Sequence, residues 1–142
     1  MINKKEKQMK HITFRNEKHR GIFQKAIEKK NQNNLPLMAA LYLLTADRAV
    51  WNCVQKYISK CKIDFENIQL NNISINGYTF FCCAKDLYSG TKHLTIMDIV
   101  DRNLISSEQF DIICNAMKIR RFGISSFDNY CTEKWVAVNH GW

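Results

Sequence analysis

Residues 68–90 read Ile68-Gln69-Leu70-Asn71-Asn72-Ile73-Ser74-Ile75-Asn76-Gly77-Tyr78-Thr79-Phe80-Phe81-Cys82-Cys83-Ala84-Lys85-Asp86-Leu87-Tyr88-Ser89-Gly90, and two folds compete for them. Ile63, Phe65, Ile68, Leu70, Ile73 and Ile75 alternate loosely, and Asn76-Gly77 is a strong signal for a two-residue hairpin turn, pairing 68–75 with 78–82. The competing reading is a helix from about Asn76 to Ser89. Phe80, Phe81, Ala84, Leu87 and Tyr88 fall at i, i+1, i+4, i+7 and i+8, one face of a helix, and Gly90 suits its C-terminal cap. Ala84-Lys85-Asp86-Leu87 are poor strand residues. The helix is favoured, and with it a mainly α fold; a small α+β fold with one short hairpin or strand pair is the alternative.

The rest of the chain fits that choice. Asn16 and Glu17 open a helix that runs to about Asn31, with Ile22, Phe23, Ala26 and Ile27 on one stripe. Pro36 suits the first turn of a second helix, whose core Leu37-Met38-Ala39-Ala40-Leu41-Tyr42-Leu43-Leu44 is apolar all round and therefore central. Thr45 or Asp47 caps a third, to about Ser59, carrying Val50, Trp51, Val54, Tyr57 and Ile58. Thr95 opens a short helix with Ile96, Ile99 and Val100. Ser106 and Gln109 form a capping box for the most secure helix, which carries Phe110, Ile113, Cys114 and Met117 and stops at Phe122-Gly123. Trp135-Val136-Ala137-Val138 reads as a short strand or extended segment, and Tyr130, Trp135 and Trp142 as core or clamp residues. The expectation is one domain, a compact bundle of five or six helices, with residues 1–13 as a basic N-terminal arm.

Charge is unevenly placed. Of the net +8, residues 1–30 hold ten Lys/Arg against three Glu, while the rest is nearly balanced, eleven against ten. A basic arm of Lys4, Lys5, Lys7, Lys10, Arg15, Lys18 and Arg20 can neutralise phosphates, meet an acidic protein face, or serve solubility alone. Lys118, Arg120 and Arg121 lie where cations complement a helix C-terminus. No apolar run reaches the length of a membrane span, and the N-terminus lacks the apolar stretch of a signal peptide. The six cysteines are therefore expected to be reduced thiols in a bacterial cytoplasm.

Motifs for chemistry are sparse. The glycines stand alone, so no phosphate-cradling loop exists. Asp98/Asp101 and Glu108/Asp111 have i, i+3 spacing but sit at helix starts, where carboxylates favour the dipole. Paired Cys-x₂-Cys units of structural zinc sites are missing; Cys82, His93, Cys131 and His140 are the ligand candidates if the fold gathers them. No catalytic residue is assigned, and an enzyme is not expected.

Three stretches, Phe14-Arg15-Asn16-Glu17-Lys18-His19, Ala40-Leu41-Tyr42-Leu43-Leu44-Thr45-Ala46-Asp47 and Ala84-Lys85-Asp86-Leu87-Tyr88, resemble a group of small helical proteins of Firmicutes and their phages. The likeness covers roughly residues 14–90 and leaves out the part from about residue 95. It implies a helical reading of the third stretch and a mobile-element setting, with no activity or site residue attached. It leads to one functional expectation: a non-catalytic phage or mobile-element protein that binds and inhibits a host defence protein, such as a Cas effector of a CRISPR system. Two alternatives stand beside it. One is a nucleic-acid-binding protein working through its basic arm; the other is a zinc-dependent binding module. No cofactor is otherwise expected.

Overall fold

The computed structural model describes residues 12–124. Six α-helices follow in order: α1 (Glu17–Ile27), α2 (Leu35–Leu44), α3 (Arg48–Val54), α4 (Ile75–Ser89), α5 (Ile96–Ile99) and α6 (Ser107–Phe122). Short 3₁₀ turns at Gln55–Tyr57 and Phe65–Asn67 decorate the connection from α3 to α4. Among the described residues there is no strand; the nearest approach is an isolated antiparallel bridge between Ile58 and Ile63.

The disputed stretch is a helix, and Ser74 rather than Asn76 caps it, accepting a hydrogen bond from the Gly77 N–H. Asn76-Gly77 thus lies inside the first turn. The glycine is needed there for space: a Cβ at Gly77 would stand 3.0 Å from Ile73 and 3.1 Å from the Asp47 carboxyl group. A close approach, which a hairpin signal mimics in sequence, explains why the turn motif misleads. Gly90 ends α4 in the left-handed region at φ 75°, its N–H donating to the Asp86 carbonyl.

α2 is the axle. Asn34 caps it, Pro36 sits in its first turn, and every residue from Leu37 to Leu44 is buried. Burying each large aliphatic side chain contributes roughly 1.5–3 kcal/mol, so this helix holds much of the apolar driving force. α4 and α6 pack along it most extensively, and α1 also rests against it, with Phe23 edge-on to Tyr42. α6 shows a different face from the one its apolar residues suggest. Ile112, Ile113, Ala116 and Ile119 point to the core with Gln109 and Asn115, while Phe110 and Met117 face out and Cys114 is half-buried. Buried polar residues on the inner face account for the difference, because they are invisible to a count of apolar positions.

Two other helices are shorter than their periodicity suggests. α1 stops at Ile27, four residues before Asn31, because Lys29 takes the left-handed conformation (φ 62°). α3 begins at the Asp47 cap and gives way after Val54 to the 3₁₀ turn. Thr45, the other cap candidate, instead turns its hydroxyl back to the Leu41 carbonyl at the end of α2.

A buried polar network joins the first described residues to the helices. Ile12 is in the core, so the chain enters the fold before residue 13, the expected boundary of the arm. The Tyr42 hydroxyl donates to the Thr13 carbonyl at 2.5 Å, and the Asn115 amide donates to the Tyr42 hydroxyl at 3.1 Å and the Thr13 carbonyl at 3.2 Å. His19 completes it: its Nδ1 accepts from the Arg15 backbone N–H (3.0 Å) and its Nε2 faces the Tyr42 carbonyl at 2.7 Å. A donor on one nitrogen and an acceptor on the other fix the neutral Nε2–H tautomer. Burial drives the His19 pKa down to about 3, with the Tyr42 hydrogen bond opposing and the Arg15 charge adding to the fall.

Candidate functional site

Among the described residues, the cations singled out in the sequence do not form one surface. Lys4, Lys5, Lys7 and Lys10 lie outside the described residues. Arg15 is a strap within the fold: its Nε donates to Glu108 Oε1 at 3.0 Å and its guanidinium reaches the Ala46 carbonyl, also at 3.0 Å. Lys18 is exposed and Arg20 half-buried on α1. At the far end of α6, Lys118 is exposed, Arg120 donates to the Leu87 carbonyl at 3.3 Å, and Arg121 lies over the Phe122 ring at 5.5 Å. Because Arg15 ties the start of α1 to the start of α6, about 18 Å of helix axis separates its partner Glu108 from Arg120.

The candidate metal ligands divide likewise. Cys82 is buried rather than turned to solvent, and burial raises its thiol pKa, with the Tyr78 hydrogen bond opposing; that disfavours the thiolate a metal needs. His93 is exposed, and its Nδ1 lies 2.8 Å from Asp86 Oδ1. Cys131 and His140 lie outside the described residues. Among the described residues, no group of three or more His, Cys, Asp or Glu is placed to hold a metal ion.

Asp86 has a clear structural task. Its carboxylate accepts from the Thr91 hydroxyl (2.6 Å) and from the backbone N–H groups of His93 and Leu94 (2.9 and 2.8 Å), pinning the chain that leaves α4. Burial acts against its ionised form, yet these bonds outweigh it and hold the carboxyl below its usual range. Three of the four carboxylates in the acidic pairs are spoken for in the same way: Asp98 closes a capping box with Thr95, Asp101 accepts from the Asn103 N–H, and Glu108 pairs with Arg15. Burial also pushes the Cys83 thiol up to about 12 and raises that of Cys114, so neither is primed as a nucleophile.

What the surface does present is apolar. Ile96, Met97 and Val100 on and beside α5 are 78%, 74% and 57% exposed, and Leu104 and Phe110 are exposed beyond them. Val100 and Phe110 flank a cleft of about 310 Å³ with Ile99 and Ile105 at its base, and Arg102, Asp111 and two serines at its edge. The capping boxes at Thr95 and Ser106 hold both helix starts rigid on either side of it. The sequence places Ile96, Ile99 and Val100 on one short helix without telling which of them meets the core. Only Ile99 packs against it, because a four-residue helix can turn just one side inward.

A second feature is a groove walled by α1 and α3. Ile22, Ala26, Trp51 and Ile58 line it, with Lys25 and Lys30 at the lip.

No protein-family model, curated protein or solved structure matches this chain.

Proposed function

We propose that this chain is a non-catalytic docking protein that seats the apolar face of residues 96–110 on a partner protein. The observation that carries the reading is the exposure of Ile96, Met97 and Val100 side by side, next to a cleft edged by polar groups. Exposed apolar clusters with a polar rim are how association surfaces are built, and methionine adapts to an irregular partner at little cost. The absence of a role for catalysis is supported by the titratable groups themselves: His19 is locked neutral, Asp86 holds a loop, and the Cys82, Cys83 and Cys114 thiols are pushed away from reactivity.

The resemblance of residues 14–90 to phage proteins favours a host defence protein, such as a Cas effector, as the partner, and occlusion of its working surface as the result. The test is affinity capture from a CRISPR-bearing Gram-positive lysate, with and without nuclease, using the natural chain and a Met97→Glu/Val100→Glu variant. One dominant protein that survives nuclease and is lost with the variant is the expected result. A broad set of proteins that vanishes with nuclease, or capture indifferent to the variant, would refute the reading and favour the nucleic-acid alternative. Stoichiometric zinc in the purified protein would instead revive the metal-dependent module.

A further inference from the structure

The groove between α1 and α3 has a chemistry unlike that of the α5–α6 face. It encloses about 440 Å³ over an aliphatic floor with Trp51 as the aromatic member. Its lip is cationic: Lys25 stands free in solvent, and the Lys30 ammonium is held in place by a 2.6 Å hydrogen bond to the Ala26 carbonyl. At Ile22 it runs into a smaller hollow of about 230 Å³ that is edged by Lys18 and Arg48. Among the described residues, neither hollow has an Asp or Glu in its lining. Arg15, at the far edge, is already neutralised by Glu108, so Lys18, Lys25, Lys30 and Arg48 are the cations that set the charge of the groove. An uncompensated row of cations along an apolar floor favours a ligand with the opposite pattern.

We infer that this groove is a binding site for an acidic amphipathic peptide segment of a partner. Its apolar side chains lie over Ile22 and Trp51, and its carboxylates face Lys25, Lys30, Lys18 and Arg48. Lys18 and Lys25 are seven residues apart on α1, about 10 Å along the axis, which matches carboxylates two turns apart on a helical ligand. The volume suits two or three apolar side chains. A nucleic-acid strand fits less well, because stacking platforms offer successive aromatic faces, and among the described residues this floor has one. The inference does not depend on the α5–α6 face, which lies on other elements.

Two ligands decide it: a fluorescein-labelled helical peptide with leucines at i, i+3, i+4 and i+7 and glutamates elsewhere, and a labelled fifteen-residue oligothymidylate. Binding is read by anisotropy with the full chain, its Lys18→Glu/Lys25→Glu variant and its Met97→Glu variant, each checked for helicity. We expect the peptide to bind with a Kd of about 10–100 μM, to lose about tenfold or more with the double charge reversal, and to ignore Met97→Glu. The Trp51 indole N–H resonance moves on peptide addition. Peptide binding that is absent, or unchanged by the double reversal, overturns the inference. Oligothymidylate binding that is tight and lost with the same reversal also overturns it and hands the groove to nucleic acid.

Discussion

Acidification should loosen this protein through His19 well before its carboxylates titrate. The ring is enclosed between the Arg15 N–H and the Tyr42 carbonyl, packed at 4.8 Å from the Tyr42 ring and 5.2 Å from Phe14. It stays neutral in the fold down to about pH 3, whereas in the unfolded chain it takes up a proton near its ordinary value of 6.5. The unfolded state therefore binds more protons across that window, and stability rises with pH. The contribution is fully present above about pH 6.5 and is lost as pH falls toward 3. The slope is about 1.4 kcal/mol per pH unit, or about 3 kcal/mol by pH 4.5. Against a total of about 5–15 kcal/mol that loss is large. Urea denaturation at pH 7.5, 6.0 and 4.5, on the natural chain and on His19→Gln, reads it directly. The variant starts less stable at pH 7.5, by about 1–2 kcal/mol, but with a much flatter pH dependence. Equal slopes for the two proteins, or a His19 ring proton that titrates near 6.5 in NMR, would refute the reasoning.

Asp86→Asn replaces an acceptor of three backbone or hydroxyl donors with a group that must turn its own N–H toward some of them. A loss of about 2–3 kcal/mol is expected, with faster hydrogen exchange at the His93 and Leu94 amides; unchanged exchange would show that the loop is held by other means. Gly21→Ala should stabilise by about 0.5–1 kcal/mol, because the site is inside α1 and a Cβ there meets nothing within 4 Å. The same change at Gly90 also meets nothing, yet it should destabilise by about 1–2 kcal/mol through its left-handed backbone; thermal melts of the two variants moving together would contradict this. Met97→Glu/Val100→Glu removes exposed apolar surface and should leave the unfolding free energy from urea titration within about 0.5 kcal/mol of the natural chain.

The helical elements were legible because their signals are local. The Ser106/Gln109 capping box, Pro36 at the start of α2 and Gly90 at the end of α4 each act within one turn, and all three stand where their chemistry puts them. What was not legible depends on contacts distant in sequence. His19, Tyr42 and Asn115 look like ordinary surface or core residues until α1, α2 and α6 meet, and Gly77 imitates a hairpin until Asp47 is seen against it. The exposure of the apolar residues on α5 was hidden for a related reason. An exposed apolar residue reads the same as a buried one, so Ile96 and Val100 could not be told from Ile99 by spacing. The α1–α3 groove was half visible, since Ile22 and Ala26 stood out as part of one stripe of α1, but Trp51 arrives from another helix.

The central position of α2 has a consequence for synthesis. This helix is complete by Leu44, but two of its three main neighbours are α4 and α6, so its apolar sides stay uncovered until about eighty more residues have been made. The pair formed by the Tyr42 hydroxyl and the Thr13 carbonyl likewise gains its third member only with Asn115, 102 residues beyond Thr13. A chain emerging from the ribosome therefore carries its most aggregation-prone segment early and its remedy late. Premature termination before α6 should yield an insoluble fragment, and slow translation between α2 and α6 should place this protein among the clients of chaperones that hold nascent chains.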